Sequence, residues 1–252
     1  MLLHPTLDKL KSLKLDGMLA ALTDQEALAG TDALSFEERL GLLVDRELTT
    51  RQNRKLKLRL GKAKLRQDAA MEDLDLRPGR NIDRSQILAL SSCDWIRRRE
   101  NCIVTGPAGV GKSYLGCALA NKACREGFDA LYFRVPRLFT ELAQAKADGS
   151  YMRRLTAIAR CELLVLDDWG IAPFNDEQRR DMLEILDDRY GRRSTLVAAQ
   201  VPIDKWHEVI ADPTLADAIL DRIVHNAYKI QMTGESMRKL RGGLTSDQAT
   251  KP

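Results

Sequence analysis

The sequence predicts an α/β protein in which a parallel five-stranded sheet, with helices on both faces, follows a small all-helical N-terminal domain. Two observations support this fold class. Apolar residues recur at helical spacing near the start of the chain, beginning with Leu7, Leu10 and Leu13. After residue 100, short apolar runs alternate with helical segments, which is the pattern of a parallel sheet covered by helices.

The N-terminal domain is predicted to span residues 1–76 and the sheet domain residues 77–252, because Pro78-Gly79 interrupts the helical pattern. A helix is predicted to open at Ser35, with Glu38 completing a capping box. A basic segment then continues to about Met71. Within it we expect a bend or break at Gly61, since glycine costs about 1 kcal/mol relative to alanine in a helix.

Five apolar runs are candidate strands, at residues 102–104, 130–133, 163–166, 195–198 and 228–232. A short helix near residues 85–90 is predicted to lead into the first strand. Two helices, at residues 137–147 and 150–160, are predicted between the second and third strands.

Composition limits the class of protein. The apolar fraction of 44% can supply a buried core, and the net charge of +4 is mild. The first residues do not resemble a signal peptide, and no apolar run approaches the ~20 residues needed to span a bilayer. The five cysteines include no Cys-x-x-Cys pair, which disfavours a zinc site. The sequence therefore predicts a cytoplasmic protein with no membrane partner.

Residues 106–113 read Gly-Pro-Ala-Gly-Val-Gly-Lys-Ser, the Walker A pattern, between a predicted strand and a predicted helix. The glycines allow backbone N–H groups to surround phosphate oxygens, and the following helix dipole adds positive potential. Lys112 is expected to bridge the β- and γ-phosphates of ATP, and Ser113 to bind Mg²⁺. The alternative is a glycine turn that happens to precede a lysine. Contacts with ATP are expected from Gly106, Pro107, Ala108, Gly109, Val110, Gly111, Lys112, Ser113 and Tyr114.

Asp167 and Asp168 follow the third apolar run and form a candidate Walker B motif. A buried strand would bring Asp167 to the Mg²⁺ beside Ser113, and Asp168 would act as general base for the attacking water. The alternative is that the two carboxylates mark a solvated strand end.

These motifs resemble the AAA+ class of ATPases, which usually carries Asp-Glu where this chain has Asp167-Asp168. The shorter carboxylate implies slower hydrolysis with binding intact. The class also implies a polar sensor at the end of the fourth strand, where Gln200 is the candidate. Few residues follow the fifth strand, so the helical lid of the class is expected to be reduced or absent.

The chain is similar to the IstB family of insertion-sequence transposition helper ATPases, and less closely to DnaC-type loaders of replicative helicases. The resemblance runs from Leu15-Asp16-Gly17-Met18 to Ser236-Met237-Arg238, and its most specific stretches are residues 204–208, 216–225 and 234–239.

The resemblance implies that Arg222 is an arginine finger, which acts with Lys112 and Asp168 in catalysis but reaches the nucleotide of a neighbouring subunit. It implies homo-oligomers for the same reason. Arg238 would be a second sensor that contacts the nucleotide. An extra helix before the third strand would place Arg153 and Arg154 against DNA. For each arginine the alternative is an ordinary surface charge.

Residues 51–66 contain eight basic residues and no acid. On a helix, Arg51, Lys55, Arg59, Lys62 and Arg66 share one face, and with Arg54 they are candidate contacts to DNA phosphates. Because phosphate contacts read no sequence, we expect double-stranded DNA to be bound largely independently of sequence and in a salt-sensitive way. The alternative is a solvated helix face.

The leading hypothesis is an ATPase that oligomerises on DNA with ATP and recruits or activates a partner transposase. A DnaC-like helicase loader is the alternative. A small-metabolite kinase remains a third hypothesis. A GTPase is disfavoured, because Asn121-Lys122-Ala123-Cys124 lacks the aspartate of a guanine-reading motif.

Overall fold

The computed structural model describes residues 3–27, 33–76 and 81–237. The chain divides into two compact units, Met1–Leu58 and Arg59–Pro252. The division thus falls earlier than the predicted boundary between residues 76 and 77. Its physical reason is that the residues from Arg59 onward contact the sheet unit: Arg59 pairs with Asp129, and Glu72 pairs with Arg125.

The first unit is helical, as predicted. It contains α1 (Leu3–Ser12), α2 (Asp16–Ala27) and most of α3 (Phe36–Ala63). The predicted capping box is present at the start of α3, since Glu38 N–H donates to Ser35 Oγ and Ser35 N–H donates to Glu38 Oε2.

The close approach of α2 to α3 requires a glycine. A Cβ on Gly17 would lie 2.6 Å from Glu47 Cα, closer than any side chain could be accommodated. The Glu47 carboxylate accepts hydrogen bonds from the backbone of Gly17 and Met18 at 2.7 and 3.1 Å. Arg51, followed by these backbone groups, lowers the pKa of Glu47.

The helix α3 corrects two predictions. It runs without a break through Gly61, because the cost of one exposed glycine is small beside a helix of 28 residues. It ends at Ala63, before Met71, and the next residue, Lys64, has a left-handed backbone (φ 50°). A residue in that conformation ends a helix, so Arg66 does not lie on α3.

The second unit contains the predicted sheet. Its strands are β1 (Asn101–Thr105), β2 (Ala130–Arg134), β3 (Leu163–Trp169), β4 (Ser194–Ala199) and β5 (Ala227–Gln231). Their order is β2-β3-β4-β1-β5, and every pair is parallel. All carboxyl ends therefore meet at one edge, and β1 is one of the three central strands, between β4 and β5. The three central strands are almost entirely buried, as expected of a sheet covered on both faces.

Helices cover both faces of the sheet. They are α4 (Arg84–Ser91), α5 (Asp94–Arg97), α6 (Lys112–Arg125), α7 (Val135–Ala147), α8 (Tyr151–Arg160), α9 (Asp176–Arg189), α10 (Trp206–Ile210) and α11 (Pro213–Val224). On one face, Gly116 of α6 approaches Val165 and Leu196. On the other, α7 to α11 pack against Leu164 and Leu166 in one apolar cluster. The helix predicted near residues 85–90 and the pair between β2 and β3 are confirmed.

Two further predictions can be compared with the described residues only in part. Among them, no helix is both long and apolar enough to cross a membrane. The expectation of a reduced helical lid concerns the chain after β5, and residues 238–252 lie outside the described part.

Candidate nucleotide site

The glycine-rich loop joins the central strand β1 to α6 and lies at the edge where the strands end. Gly106, Gly109 and Gly111 have φ angles of 148°, 86° and 103°, which side-chain-bearing residues rarely adopt. A Cβ on Gly106 would also collide with the carbonyl oxygen of Met232, the residue that follows β5. The loop geometry therefore depends on these glycines, as the sequence predicted.

Lys112 begins α6, is only 7% exposed, and turns its amino group back into the loop. Its Nζ donates to the carbonyl oxygens of Gly106 and Pro107, both at 2.7 Å. A buried ammonium held at the mouth of a glycine loop and at a helix N-terminus gives a site complementary to phosphate.

The two adjacent aspartates lie at the carboxyl end of β3. Asp167 is 2% exposed and accepts hydrogen bonds from the hydroxyl of Tyr132 and from the backbone N–H of Asp168, the latter at 2.9 Å. Burial, and then the hydrogen bond with Asp167, raises the pKa of Tyr132, so this hydroxyl keeps its proton. Asp168 has a left-handed backbone (φ 58°), where the pairing of β3 with β4 is irregular. Strain of this kind is common at functional sites.

Two arginines that were not predicted at this site flank the carboxylate pair. Arg134 ends β2, opposite Asp167 in the sheet register, and its Nε donates to Asp168 Oδ2 at 2.5 Å. That hydrogen bond raises the pKa of Arg134. Arg66 approaches Asp167 at 3.7 Å and Asp168 at 3.9 Å. The sequence could have indicated Arg134, because it directly follows a predicted strand and so lies at the same edge of the sheet as the aspartates. Arg66 was predicted to lie on a helix face.

One cavity of about 430 Å³ connects the glycine loop with the aspartates. Lys112, Ser113 and Tyr114 line it together with Asp167 and Asp168, and so do Gln200, Arg66 and Arg134. Its remaining wall contains two acidic residues, Asp73 and Asp75, together with Gln67, Leu74, Ile82, Ala108, Gly109, Gly111, Ile171, Ala198, Met232 and Met237. Anionic phosphates suit the lysine and loop amides, and Mg²⁺ suits a hydroxyl beside a carboxylate, so the residues present fit Mg²⁺-ATP.

The segment after β5 lies against the loop. Met232 N–H donates to Thr105 O at 2.8 Å, and Met237 N–H donates to Gly109 O at 2.9 Å. Ser236 occupies the space that a Cβ on Gly109 would need. Arg238, the predicted second sensor, is the next residue and lies outside the described residues.

Arg222, the predicted arginine finger, lies at the opposite edge of the same sheet. The carbonyl oxygen of Arg222 accepts a hydrogen bond from Asn101 Nδ2 at 3.0 Å, and Asn101 starts β1, whereas the glycine loop follows its end. Four residue steps along a strand separate the two ends by about 13 Å. The guanidinium pairs with Asp187 at 2.7 Å and donates to Ala218 O.

The predicted DNA contacts fall into separate groups. Arg51, Arg54 and Lys55 are exposed on α3 in the first unit, where Arg51 pairs with Glu47 and Arg54 with Asp16. Arg59 and Lys62 lie further along the same helix, and Arg59 is 3.6 Å from Asp129. The expected face of five residues is therefore reduced to four, because Arg66 lies at the aspartates.

The two arginines of α8 differ in their surroundings. Arg153 is exposed, and Arg154 donates to Glu141 of α7 at 2.6 Å.

Comparison with known proteins identifies the family. A sequence model described as IstB-like ATP binding protein matches residues 8–243. A putative insertion sequence ATP-binding protein, y4pL of Sinorhizobium fredii (strain NBRC 101917 / NGR234), is 51% identical over 239 residues, which cover 95% of this chain and 98% of that protein.

Two solved structures share the fold. DnaI superposes with a TM-score of 0.56 at 25% identity, over 68% of this chain and 90% of that one. The DnaC helicase loader superposes with a TM-score of 0.52 at 19% identity, over 66% and 97%. The sequence match covers almost the whole chain. It includes the glycine loop, the paired aspartates and all five strands of the sheet. This protein belongs to the family of IstB-like ATP-binding proteins, which are AAA+ ATPases.

Proposed function

We propose that this ATP-binding protein is a DNA-binding regulator of transposition, which oligomerises on DNA with ATP and recruits or activates a partner transposase. The family and the insertion-sequence relative support the role in transposition. The observation that carries the proposal is that the ATP cavity and Arg222 lie at opposite edges of one sheet. An arginine in that position can complete the site of a neighbouring subunit but not its own.

Different residues of the cavity are proposed to bind the phosphates and the Mg²⁺ ion of Mg²⁺-ATP. The backbone N–H groups of the loop and the Lys112 ammonium bind the phosphates, and Lys112 exchanges its two carbonyl acceptors for phosphate oxygens. Ser113 and Asp167 would hold Mg²⁺, and the hydrogen bond from the Tyr132 hydroxyl would orient the Asp167 carboxylate for it. When bound, Mg²⁺ neutralises charge on the phosphates. Tyr114 and Gln200 line the same cavity, and Gln200 is the candidate sensor of the terminal phosphate.

Hydrolysis requires a base, and Asp168 is the candidate. Its carboxylate would accept a proton from the attacking water, but Arg134 holds Oδ2 in a short hydrogen bond. At Oδ2 the attacking water would compete with Arg134, so loss of the Arg134 contact would favour hydrolysis. This contact, together with the shorter reach of aspartate compared with glutamate, favours slow turnover and a nucleotide that acts mainly as an assembly switch.

Assembly follows from Arg222. Its guanidinium lies on the surface with 26% of the side chain exposed, bound to Asp187. If a subunit interface brought this surface to the phosphates of a neighbour's ATP, the Arg222 guanidinium would leave Asp187 and bind the more highly charged phosphates. An arginine finger of this kind is worth several powers of ten in rate.

DNA binding is assigned to the basic face of α3. Arg51, Lys55, Arg59 and Lys62 follow one another at helical spacing, and among the described residues Lys55 and Lys62 take part in no ion pair. Arg54 lies beside this face. Arg153 on α8 is a second candidate, whereas Arg154 would first have to leave Glu141.

The proposal is tested by assembly on duplex DNA, observed by negative-stain microscopy. With ATP, the wild-type protein forms ordered assemblies and Lys112→Ala does not. Lys122→Ala is the matched control, because it removes a lysine from the same helix outside the cavity and is expected to assemble normally. Assembly of Lys112→Ala that equals the wild type would refute nucleotide-dependent oligomerisation.

A helicase loader is the second candidate, since the DnaC helicase loader shares the fold. At 19% identity that likeness concerns the fold alone, whereas the relative at 51% identity is an insertion sequence protein. Pull-down separates the two functions. Co-purification with a replicative helicase and not with the transposase of the same element would favour the loader. ATPase activity that responds to DNA and to no metabolite would exclude a kinase.

A further inference from the structure

The segment that follows α3 is held against the helix of the glycine loop. Ala63 and Ala69 are buried, and Glu72 pairs with Arg125 of α6 at 2.8 Å. Burial raises the pKa of Cys117, in the middle of α6, and hydrogen bonds from the backbone of Arg66 and Gln67 oppose that shift. The segment that contains Arg66 therefore lies beside α6.

The Arg66 side chain reaches the carboxylates but does not form tight hydrogen bonds with them. Its Nη1 is 3.7 Å from Asp167 and 3.9 Å from Asp168, longer than a normal hydrogen bond, and 37% of the side chain is exposed. Arg134, in contrast, donates to Asp168 at 2.5 Å. Of the two arginines, Arg66 is therefore the one that the carboxylates hold less tightly.

The position of Arg66 is unfavourable once a divalent cation is bound. Asp167 would hold Mg²⁺ with Ser113, and a guanidinium 3.7 Å from Asp167 would be repelled by that cation. Arg66 lines the same cavity as Lys112 and Ser113, so phosphate oxygens are an alternative partner within that cavity. Guanidinium groups bind phosphate with two parallel hydrogen bonds, which the loose contact with Asp167 does not provide.

We propose that Arg66 is a phosphate-binding residue of its own subunit, which leaves the aspartate pair and contacts the terminal phosphate of Mg²⁺-ATP. This role replaces the DNA contact expected from the sequence. Because Arg66 follows the end of α3 by three residues, the contact would link the basic helix to the presence of the terminal phosphate. The proposal rests on the ATP site alone and requires neither DNA nor assembly.

The test compares affinities for fluorescent ATP and ADP analogues in the presence of Mg²⁺ and the absence of DNA. Arg66→Ala is expected to weaken binding of the ATP analogue about tenfold and that of the ADP analogue less than about twofold. Arg66→Lys, which keeps the charge but not the paired hydrogen bonds, is expected to lose about threefold for ATP. Lys57→Ala, which removes an exposed charge from α3, is the matched control and is expected to bind both analogues like the wild type.

Two results would overturn the proposal. Equal losses for ATP and ADP would show that Arg66 only maintains the shape of the cavity. Tighter binding of Mg²⁺-ATP by Arg66→Ala would show that Arg66 only competes with the metal. If Arg66→Ala does not fold, Arg66→Gln is measured in its place. A wild-type protein that binds neither analogue would instead refute the ATP site itself.

Discussion

Arg189 is expected to be essential for the stability of the second unit. It is 1% exposed at the end of α9, and its guanidinium donates to the carbonyl oxygens of Ile158 (2.6 Å), Cys161 (2.9 Å) and Ser194, and to Thr195 Oγ1 (3.1 Å). One side chain thus joins the end of α8, at Ile158 and Cys161, to the start of β4.

Replacement of Arg189 by methionine keeps much of the volume and removes every donor. Each buried acceptor that loses its only strong partner costs about 1–3 kcal/mol, and removal of the buried charge recovers part of that loss. We therefore expect Arg189→Met to lower the free energy of unfolding by about 3–5 kcal/mol. That is a large share of the ~5–15 kcal/mol typical of a folded domain.

Urea denaturation followed by tryptophan fluorescence reports unfolding of the second structural unit, because Trp95, Trp169 and Trp206 are all buried in that unit. Arg192→Met, at an exposed neighbouring position, is the control and should change stability by less than about 0.5 kcal/mol. A loss below about 1 kcal/mol for Arg189→Met would refute the reasoning, since the acceptors would then be satisfied without it.

Four further results are expected. Gly106→Ala should abolish ATP binding, because the added Cβ would collide with the carbonyl oxygen of Met232. Gly61→Ala is the control, because a Cβ there meets open space on α3; it should bind ATP normally and raise the free energy of unfolding by up to about 1 kcal/mol. Equal ATP affinities for the two variants would contradict this expectation. Burial raises the pKa of all five cysteines, that of Cys102 to about 12, so native thiols should react with Ellman's reagent at pH 8 at least about a hundredfold more slowly than unfolded ones. For the same reason the free energy of unfolding should fall above about pH 9, because thiols then ionise in the unfolded chain but stay protonated in the folded one. A free energy of unfolding that stays constant from pH 8 to 10.5 would contradict this expectation. Lys55→Ala should reduce the slope of log affinity for duplex DNA against log salt by about 1, and an unchanged slope would remove this residue from the interface.

The fold could be predicted from the sequence because its strands are short apolar runs separated by helical patterns. The glycine loop could be predicted because eight consecutive residues carry it. The end of α3 could not, since Lys-Ala-Lys-Leu at residues 62–65 contains neither glycine nor proline, and contacts of the following segment with α6 end the helix instead. The helix also continues through Gly61, where the sequence predicted a bend or break, because the surrounding helix offsets the cost of one glycine.

The surroundings of the two aspartates were only partly predictable. Asp167 and Asp168 follow an apolar strand and were recognised from that pattern. Tyr132 and Arg134 lie on a strand more than thirty residues earlier, and they meet the aspartates only because β2 and β3 are neighbours in the sheet. Arg66 depends on the chain turning away after Ala63. Such partners are set by tertiary structure and leave no local pattern.

Sharing of each ATP site between two subunits, as proposed above, can be tested by mixing two inactive variants. Arg222→Ala lacks the finger but keeps the ATP cavity, and Asp168→Ala lacks the base but keeps the finger. In randomly mixed assemblies, about a quarter of the sites pair an intact cavity with an intact finger from the neighbour. We expect each variant alone to be inactive on DNA and an equal mixture to recover about a quarter of the wild-type ATPase rate. A mixture that remains as inactive as its parts, while still assembling on DNA, would contradict the shared site.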